Sequence, residues 1–418
     1  MERSSFGING SRRLAATPLV STSRLVYLSA MSEIETPLHD PVEIARALIR
    51  RPSVTPADEG ALDILQEALS ALGFRATRLP FEDVDNLYAE IGAGAPHFCF
   101  AGHADVVPPG EADEWTSPPF DAAVKDGKLW GRGASDMKGA IAAFAAAASR
   151  AVRNGKVKGT LSFLITGDEE GKAVNGTVKM LQWLREQEIK IDHCLVGEPS
   201  NPDAMGDMIK VGRRGSINCW LTVRGKQGHV AYPHRAQNPI PSLMRKLLHL
   251  SETPLDEGYE RFQPSSLQVT DIHIGNPAHN VIPGKATARF NIRFNPNWTG
   301  ASIQDWLKDQ LDPIAKEINA TYTLDCVVSG EAFLTTDMAF LGLLSECVEE
   351  KTGRKPEYST SGGTSDARFI KDHAPVAEFG LVGATMHQVD EHVDVGDVAL
   401  LADIYEAVIE RYFETFAK

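Results

Sequence analysis

The sequence lacks closely spaced cysteines, long apolar runs and an excess of basic residues, and each absence argues against a large class of protein. Its five cysteines are scattered over 418 residues without CxxC spacing, which indicates reduced thiols of a cytoplasmic protein and neither a disulfide framework nor a zinc knuckle. It has no run of 18 apolar residues, so we expect no membrane-spanning helix. Basic residues are outnumbered, and the formal net charge is −14. We therefore expect no nucleic-acid partner, although this balance does not exclude a local basic pocket.

The first 30 residues differ from the rest of the chain. They contain four arginines, many serines and a single acid, Glu2, a composition compatible with a mitochondrial-type transit peptide. A disordered extension, or a natural start at Met31, explains the same composition more simply. We therefore predict a disordered N-terminal extension at residues 1–33 and place no functional residue there.

Strand-like and helix-like patterns alternate on both sides of a segment with a different pattern. Helical spacing at 40–72 and a continuous apolar strand at 159–166 are typical of a layered α/β sheet. Between 215 and 328 the predicted order is strand, helix, strand, strand, helix, strand, which is the ferredoxin-like arrangement. We predict an α/β/α domain with a mixed sheet, built from 34–214 and 329–418, and a ferredoxin-like βαββαβ domain inserted at 215–328.

Acids and histidines follow the predicted strands or occupy strand-to-helix turns. The carboxyl ends of parallel strands meet at one crevice, so we expect these side chains to lie together. Crowded carboxylates repel one another unless cations neutralise them, and the pattern therefore predicts a metal site. The candidates are His103, Asp105, Asp136, Glu169, Glu170, Glu198 and His387.

Each candidate taken alone has an ordinary structural alternative. His103 could be a structural histidine at a strand end, and Asp136, in a glycine-rich turn before a helix, could be a helix N-cap. Glu169 and Glu170 could form a solvated loop, and Glu198 could be an acid at the start of a helix. In the functional interpretation, one of the adjacent glutamates binds metal while the other stays free as a base.

The motifs taken together resemble the M20 family of co-catalytic zinc peptidases and deacylases, in order over nearly the whole chain. The resemblance implies a zinc-peptidase-like catalytic domain, with the insertion acting as a lid and dimerisation domain. The motifs are His103-x-Asp105, Asp136-Met137-Lys138-Gly139, Asp168-Glu169-Glu170-Gly171, Glu198-Pro199, Gly228-His229 and Met386-His387.

The resemblance also implies ligands for two Zn²⁺ ions per subunit, with Co²⁺ able to substitute in one site. His103 and Glu198 would hold one ion, Glu170 and His387 the other, and Asp136 would bridge them. Nitrogen and oxygen donors without thiolate fit catalytic zinc.

The implied reaction is metal-assisted hydrolysis of an amide. Asp105 would orient His103, and Glu169 would be the general base. His229 would stabilise the oxyanion from the inserted domain of the partner subunit in a homodimer.

Three further segments, 227–234, 280–283 and 361–369, resemble the family members that remove the succinyl group from N-succinyl-LL-2,6-diaminopimelate. That substrate carries several carboxylates, which guanidinium and amide groups bind well. The resemblance leaves an acetylornithine deacetylase or an aminoacylase as the alternative, since the metal site would be the same. Arg214 remains an alternative to Arg213 as a carboxylate binder. The candidate substrate-binding residues are Arg213, Arg293, Asn280, Gly363 and Thr364.

Overall fold

The computed structural model describes residues 40–417, and the predicted extension at 1–33 lies outside them. The helices are α1 (Pro41–Ile49), α2 (Ala61–Ala71), α3 (Lys138–Arg153), α4 (Thr177–Glu186), α5 (Pro239–Glu252), α6 (Gly300–Glu317), α7 (Met338–Thr352), α8 (Ala367–Ile370) and α9 (Val395–Phe416). The strands are β1 (Arg75–Arg78), β2 (Leu87–Gly92), β3 (His97–His103), β4 (Ala123–Lys125), β5 (Lys128–Trp130), β6 (Thr160–Thr166), β7 (His193–Val196), β8 (Met208–Lys210), β9 (Gly212–Arg213), β10 (Gly215–Arg224), β11 (Gly228–His229), β12 (Ser266–His273), β13 (Val281–Ile282), β14 (Lys285–Phe294), β15 (Thr321–Gly330), β16 (Phe333–Leu334), β17 (Glu357–Ser359), β18 (Val376–Glu378) and β19 (His392–Asp394).

The largest sheet has eight strands in the order β1-β2-β6-β3-β7-β18-β8-β17. Its four central strands, β6, β3, β7 and β18, run parallel to one another, whereas β2 is antiparallel to β6. Every residue of these four strands is buried, as expected where helices cover both faces of a parallel sheet. The sheet is therefore mixed, as predicted, and its central strands end at one edge.

Helices pack on both faces of this sheet. On one face, α1, α2, α3, α7 and α9 contribute to a large apolar core. The alanine-rich α3 has 13 buried residues out of 16, because its small side chains let neighbouring helices and the sheet approach it from all sides. On the other face, α4 and α8 pack over a smaller core. This is the predicted α/β/α layering.

The helical spacing at 40–72 corresponds to two helices rather than one. Pro52 and Pro56 lie in the connection between α1 and α2, where proline removes a backbone donor and prevents the helix from continuing. Gly73 follows α2 with φ of 92°, the left-handed conformation expected of a glycine just past a helix C-terminus.

The segment after Gly215 forms a second sheet with a core of its own. Its order is β12-β14-β10-β15, with every neighbouring pair antiparallel. Helices α5 and α6 follow its first and third strands and pack on it, which gives the ferredoxin-like βαββαβ topology. The exact boundaries 214/215 and 328/329 stay a prediction. Among residues 40–417, no helix combines the length and apolarity that crossing a membrane would require.

Candidate active site

The predicted metal ligands come together at the carboxyl edge of the central strands. His103 is the last residue of β3, Glu169 and Glu170 follow β6, and Glu198 follows β7. The side chains of the three glutamates are only 10 to 12% exposed. This burial excludes the solvated-loop alternative for Glu169 and Glu170.

Asp136 stands between the two histidines and offers one oxygen to each. Its Oδ1 lies 3.1 Å from His103 Nε2, and its Oδ2 lies 3.2 Å from His387 Nε2. Glu198 Oε1 is 3.9 Å from His103 Nε2, and Glu170 Oε1 is 2.9 Å from His387 Nε2. Asp136 is not a helix N-cap, because α3 is preceded by Met137 and has no side-chain cap bond.

These side chains form two donor sets that share Asp136. One set is His103, Asp136 and Glu198, and the other is Asp136, Glu170 and His387; within each set the donor atoms lie within 4.8 Å of one another. Glu169 belongs to a third grouping, with His103 and Glu170. The shared carboxylate fits a pair of cations joined by one bridging ligand.

The electrostatics of the site call for added positive charge. Burial, followed by the charge of Asp136, raises the pKa of Glu198 well above its usual range. Hydrogen bonds to Asp136 and Glu170 raise the pKa of His387 to about 10. The carboxylates thus retain protons or attract imidazolium, which is how a buried acidic cluster lowers its net charge. Divalent cations would meet the same need with ligands suited to them.

Glu169 has the properties of a general base or acid. Burial, and then the nearby charge of Asp366, raises its pKa to about 8. Its Oε1 lies 4.0 Å from Arg368 Nη1, and its side chain lines the same cavity as Asp136 and Glu170. A carboxyl group whose pKa is near neutrality can both accept and return a proton.

Asp105 supports the site differently from the sequence expectation. The nearest acceptor for His103 Nδ1 is the backbone carbonyl of Asp105, at 2.9 Å, whereas the Asp105 carboxylate is 3.7 Å away. That carboxylate accepts the backbone N–H groups of Glu169 and Glu170 at 3.3 and 3.1 Å. Asp105 therefore orients the turn that carries both glutamates as well as the His103 ring.

A cavity of about 370 Å³ adjoins the metal candidates and is also lined by Arg213, Gly363 and Thr364. The Arg213 guanidinium is buried in an ion pair with both carboxylate oxygens of Glu378, with its Nε 3.0 Å from Oε1, and its Nη1 donates to the Gly363 carbonyl at 2.9 Å. Arg213 therefore shapes the 363–364 loop, while Glu378 offsets its charge. Arg214 lines a separate cavity.

The sequence interpretation missed Lys210, which lines the same cavity. Its Nζ donates to Ser361 Oγ at 2.8 Å. Burial, and then the charge of Arg213, lowers the pKa of Lys210 to about 8. Its one signal in the sequence is its position three residues before Arg213.

The structure separates His229, Asn280 and Arg293 from this cluster. None of the three is among the described residues that line the cavity. His229 pairs with Val281 across the short β11–β13 ribbon, and the Asn280 carbonyl accepts the Val230 N–H at 3.1 Å, so these two loops lie side by side. Arg293 lies half-buried in β14. All three belong to the ferredoxin-like unit.

Comparison with known proteins assigns the chain to a family. The model for peptidase family M20/M25/M40 matches residues 99–411. The chain belongs to this family. It is 56% identical over 385 residues to the succinyl-diaminopimelate desuccinylase of Maricaulis maris (strain MCS10), covering 92% of this chain and 99% of the relative. It is 57% identical over 380 residues to the protein of that name from Rhodospirillum centenum (strain ATCC 51521 / SW), covering 90% and 97%.

Solved structures share the fold of this M20 member. Aminopeptidase PepT from Bacillus cereus ATCC 10987 matches with a TM-score of 0.74 at 20% identity, over 90% of this chain and 98% of its own. A dinuclear metal-binding peptidase of the M20 family from Bacillus subtilis matches with a TM-score of 0.70 at 16% identity, over 90% and 99%. At these identities the matches support the predicted fold class and no finer property.

Proposed function

We propose that this M20 protein hydrolyses N-succinyl-LL-2,6-diaminopimelate to succinate and LL-2,6-diaminopimelate, a step of lysine and diaminopimelate biosynthesis. The observation that carries the proposal is that Glu169 lines one cavity with Asp136, the residue shared by the two donor sets, and with Glu170, Glu198 and His387. The substrate is taken from relatives at 56 to 57% identity that bear the desuccinylase name. We expect the reaction in the cytoplasm, since scattered unpaired cysteines are typical of reducing compartments.

Two Zn²⁺ ions fit the charge and the ligands of the site. His103 and Glu198 would hold one, Glu170 and His387 the other, with Asp136 between them. The two ions would carry four positive charges. Asp136, Glu170 and Glu198 carry three negative charges, and one hydroxide derived from water would supply the fourth, so the site would be neutral, the state that burial tolerates best. When bound, the ions would polarise the amide carbonyl and lower the pKa of a water molecule. Co²⁺ accepts the same nitrogen and oxygen donors and could replace Zn²⁺ in one site.

Glu169 would move the proton that the reaction requires. Water adds its oxygen to the succinyl carbonyl carbon while Glu169 accepts one of its protons. The bond between that carbon and the amine nitrogen then breaks, and Glu169 returns the proton to the departing amine. Burial raises the pKa of Glu169 to about 8 in the metal-free chain, and bound cations would lower it towards neutrality, where a carboxylate can take and release a proton.

Cationic and amide groups would bind the carboxylates of the substrate. Lys210 Nζ donates to Met208 Sδ and Ser361 Oγ, and within residues 40–417 no carboxylate accepts a hydrogen bond from it. Arg213, by contrast, is already paired with Glu378. Gly363 and Thr364 line the same wall. Arg293 and Asn280 do not line this cavity and stay proposed substrate contacts from the ferredoxin-like unit.

A second copy of the chain would supply the missing oxyanion donor. His229 Nδ1 accepts the N–H of Ala231 at 3.1 Å, so a neutral ring carries its proton on Nε2 and can donate it outward. The same unit exposes apolar side chains on α5 and on the edge strand β12, including Met244 at 62%, Leu248 at 59% and Ile272 at 55%. We infer that this surface pairs with its counterpart in a homodimer.

The proposal is tested by comparing two substrates with the zinc-loaded chain and with a chelator-treated control. Turnover of N-succinyl-LL-2,6-diaminopimelate but not of N-acetylornithine, abolished by the chelator, is the expected result. Turnover of N-acetylornithine instead would support the metal-dependent mechanism and show that the proposed substrate is wrong. Turnover that survives chelation would overturn the metal-dependent mechanism.

A further inference from the structure

A buried ion pair lies behind the two metal-binding segments and has no role in the function proposed above. Arg132 is 2% exposed and Glu391 is fully buried, and Arg132 Nη1 lies 2.7 Å from Glu391 Oε2. The two residues are 259 positions apart. One belongs to the turn that leads to Asp136, and the other to the loop that follows His387.

Glu391 holds the backbone of the turn that carries Asp136. Its Oε1 accepts the N–H groups of Ser135 and Asp136 at 2.9 and 3.1 Å. This turn lies outside the helices and strands, since α3 begins only at Lys138. The position of the Asp136 carboxylate therefore depends on this side-chain acceptor rather than on a strand or helix.

Arg132, the other member of the ion pair, binds the backbone of the loop that carries His387. Its guanidinium donates to the carbonyls of Gln388, at 3.1 Å, and His387, at 3.5 Å. His387 has φ of 62°, an uncommon conformation for a residue with a Cβ, which persists only where the surroundings enforce it. The Gly131 N–H also donates to the Glu391 carbonyl, at 2.9 Å. Each segment therefore binds the backbone of the other: Glu391 binds the turn before Asp136, and Arg132 binds the loop after His387.

We propose that Arg132 and Glu391 are positioning residues that set the separation between Asp136 and His387. They would thereby fix the geometry of the donor set formed by Asp136, Glu170 and His387. The inference rests on the proposed function, because the group to be held is a metal ion. Partners of metal ligands commonly act in this way, and their loss weakens metal binding by about 10- to 100-fold.

The test measures Zn²⁺ binding by the full chain after metal removal, in competition with a chromophoric chelator. Wild type should bind two Zn²⁺ ions per chain. Glu391→Gln and Arg132→Lys should weaken the binding of at least one of the two ions about 10- to 100-fold. Wild-type affinities in both variants would overturn the inference while leaving the proposed function intact. Fewer than two ions bound by wild type would instead count against the proposed function.

A double variant separates positioning from simple stabilisation. Arg132→Met with Glu391→Leu removes both charges, so no unpaired charge stays buried and the melting midpoint should recover relative to the single variants. Zn²⁺ affinity should stay low, because a leucine side chain offers the N–H groups of Ser135 and Asp136 no acceptor. Recovery of affinity together with the midpoint would mean that the pair is structural only.

A matched control is available at the other end of the sheet. Asp337 lies 3.1 Å from His193 and caps the start of α7. His193 begins β7, whereas Glu198 follows the end of that strand. Asp337→Ala removes both the cap and the partner of His193, so it should lower the melting midpoint without changing Zn²⁺ affinity. A parallel loss of affinity in this control would show that weaker Zn²⁺ binding reports general instability, and would overturn the positioning role.

Discussion

His387 Nε2 lies 2.9 Å from Glu170 Oε1, so the imidazole and the carboxylate share a proton where, in the proposed function, they would share a cation. The hydrogen bonds to Asp136 and Glu170 raise the pKa of His387 to about 10. At neutral pH the metal-free ring is therefore protonated, and a metal ion must displace that proton to reach the nitrogen.

We expect Zn²⁺ binding at this donor set to release one proton from His387, and its affinity to fall as the pH falls below about 10, roughly tenfold per pH unit. Calorimetric titration at pH 7 in buffers of different ionisation enthalpy measures the released protons. His387→Gln should release one proton fewer in the same titration. Equal release by wild type and variant would contradict the assignment.

Glu169→Gln should separate chemistry from metal binding. The amide cannot accept a proton, so turnover should fall by about 10²- to 10⁴-fold, while the content of bound metal stays at the wild-type level. The adjacent Glu170→Gln is the matched control, and it should lose metal as well as activity. Near-wild-type turnover by Glu169→Gln would exclude Glu169 as the base.

The pH profile offers a second measurement on Glu169. Its pKa is raised to about 8 in the metal-free chain, and nearby cations favour the ionised carboxylate, which lowers that pKa. Because the base must be ionised, kcat/KM of the zinc-loaded chain should fall on the acidic side with a midpoint below pH 8. A midpoint above 8 would indicate that another group controls this limb.

The strand-end residues were predictable from the sequence because local pattern determines them. Each continuous apolar strand shows where the chain is buried between helices, and the polar residues that follow must then lie at one edge of the sheet. His103, Glu170 and Glu198 were found in this way. His387 and Asp136 sit in irregular segments. The pattern of polar residues after strands and in turns also made them candidates, and the family resemblance assigned the roles of all five ligands.

The partners of buried charges were not predictable. Arg213 pairs with Glu378, 165 positions away, and no periodic pattern connects two residues that far apart. The Asp105 carboxylate binds the N–H groups of the 169–170 turn, although the family resemblance implied the His103 ring as its partner. In both cases the sequence identified a polar group, and only the packed structure determined which donor or acceptor could reach it.

Removing one member of the Arg213–Glu378 pair should destabilise the fold. Glu378→Gln would leave the Arg213 charge buried without its counter-ion, which costs about 3 to 5 kcal/mol of unfolding free energy. Arg245→Met is the control, because the Arg245–Glu317 pair is exposed and such pairs contribute about 0 to 1 kcal/mol. Urea unfolding measures the free energy of unfolding of both variants. Equal losses of unfolding free energy would mean that burial does not make the Arg213–Glu378 pair more important for stability than the exposed pair.

If a partner subunit supplies His229, as proposed above, two inactive variants should restore activity when mixed. In a hybrid dimer of His229→Ala and Glu169→Gln subunits, one site combines an intact Glu169 with an intact His229 from the neighbour. Random exchange makes about half of the dimers hybrid, each with one working site, so activity should return to about a quarter of wild type. Each variant incubated alone provides the baseline. If His229 acted within its own chain, every site in the mixture would lack one group, and no activity would return.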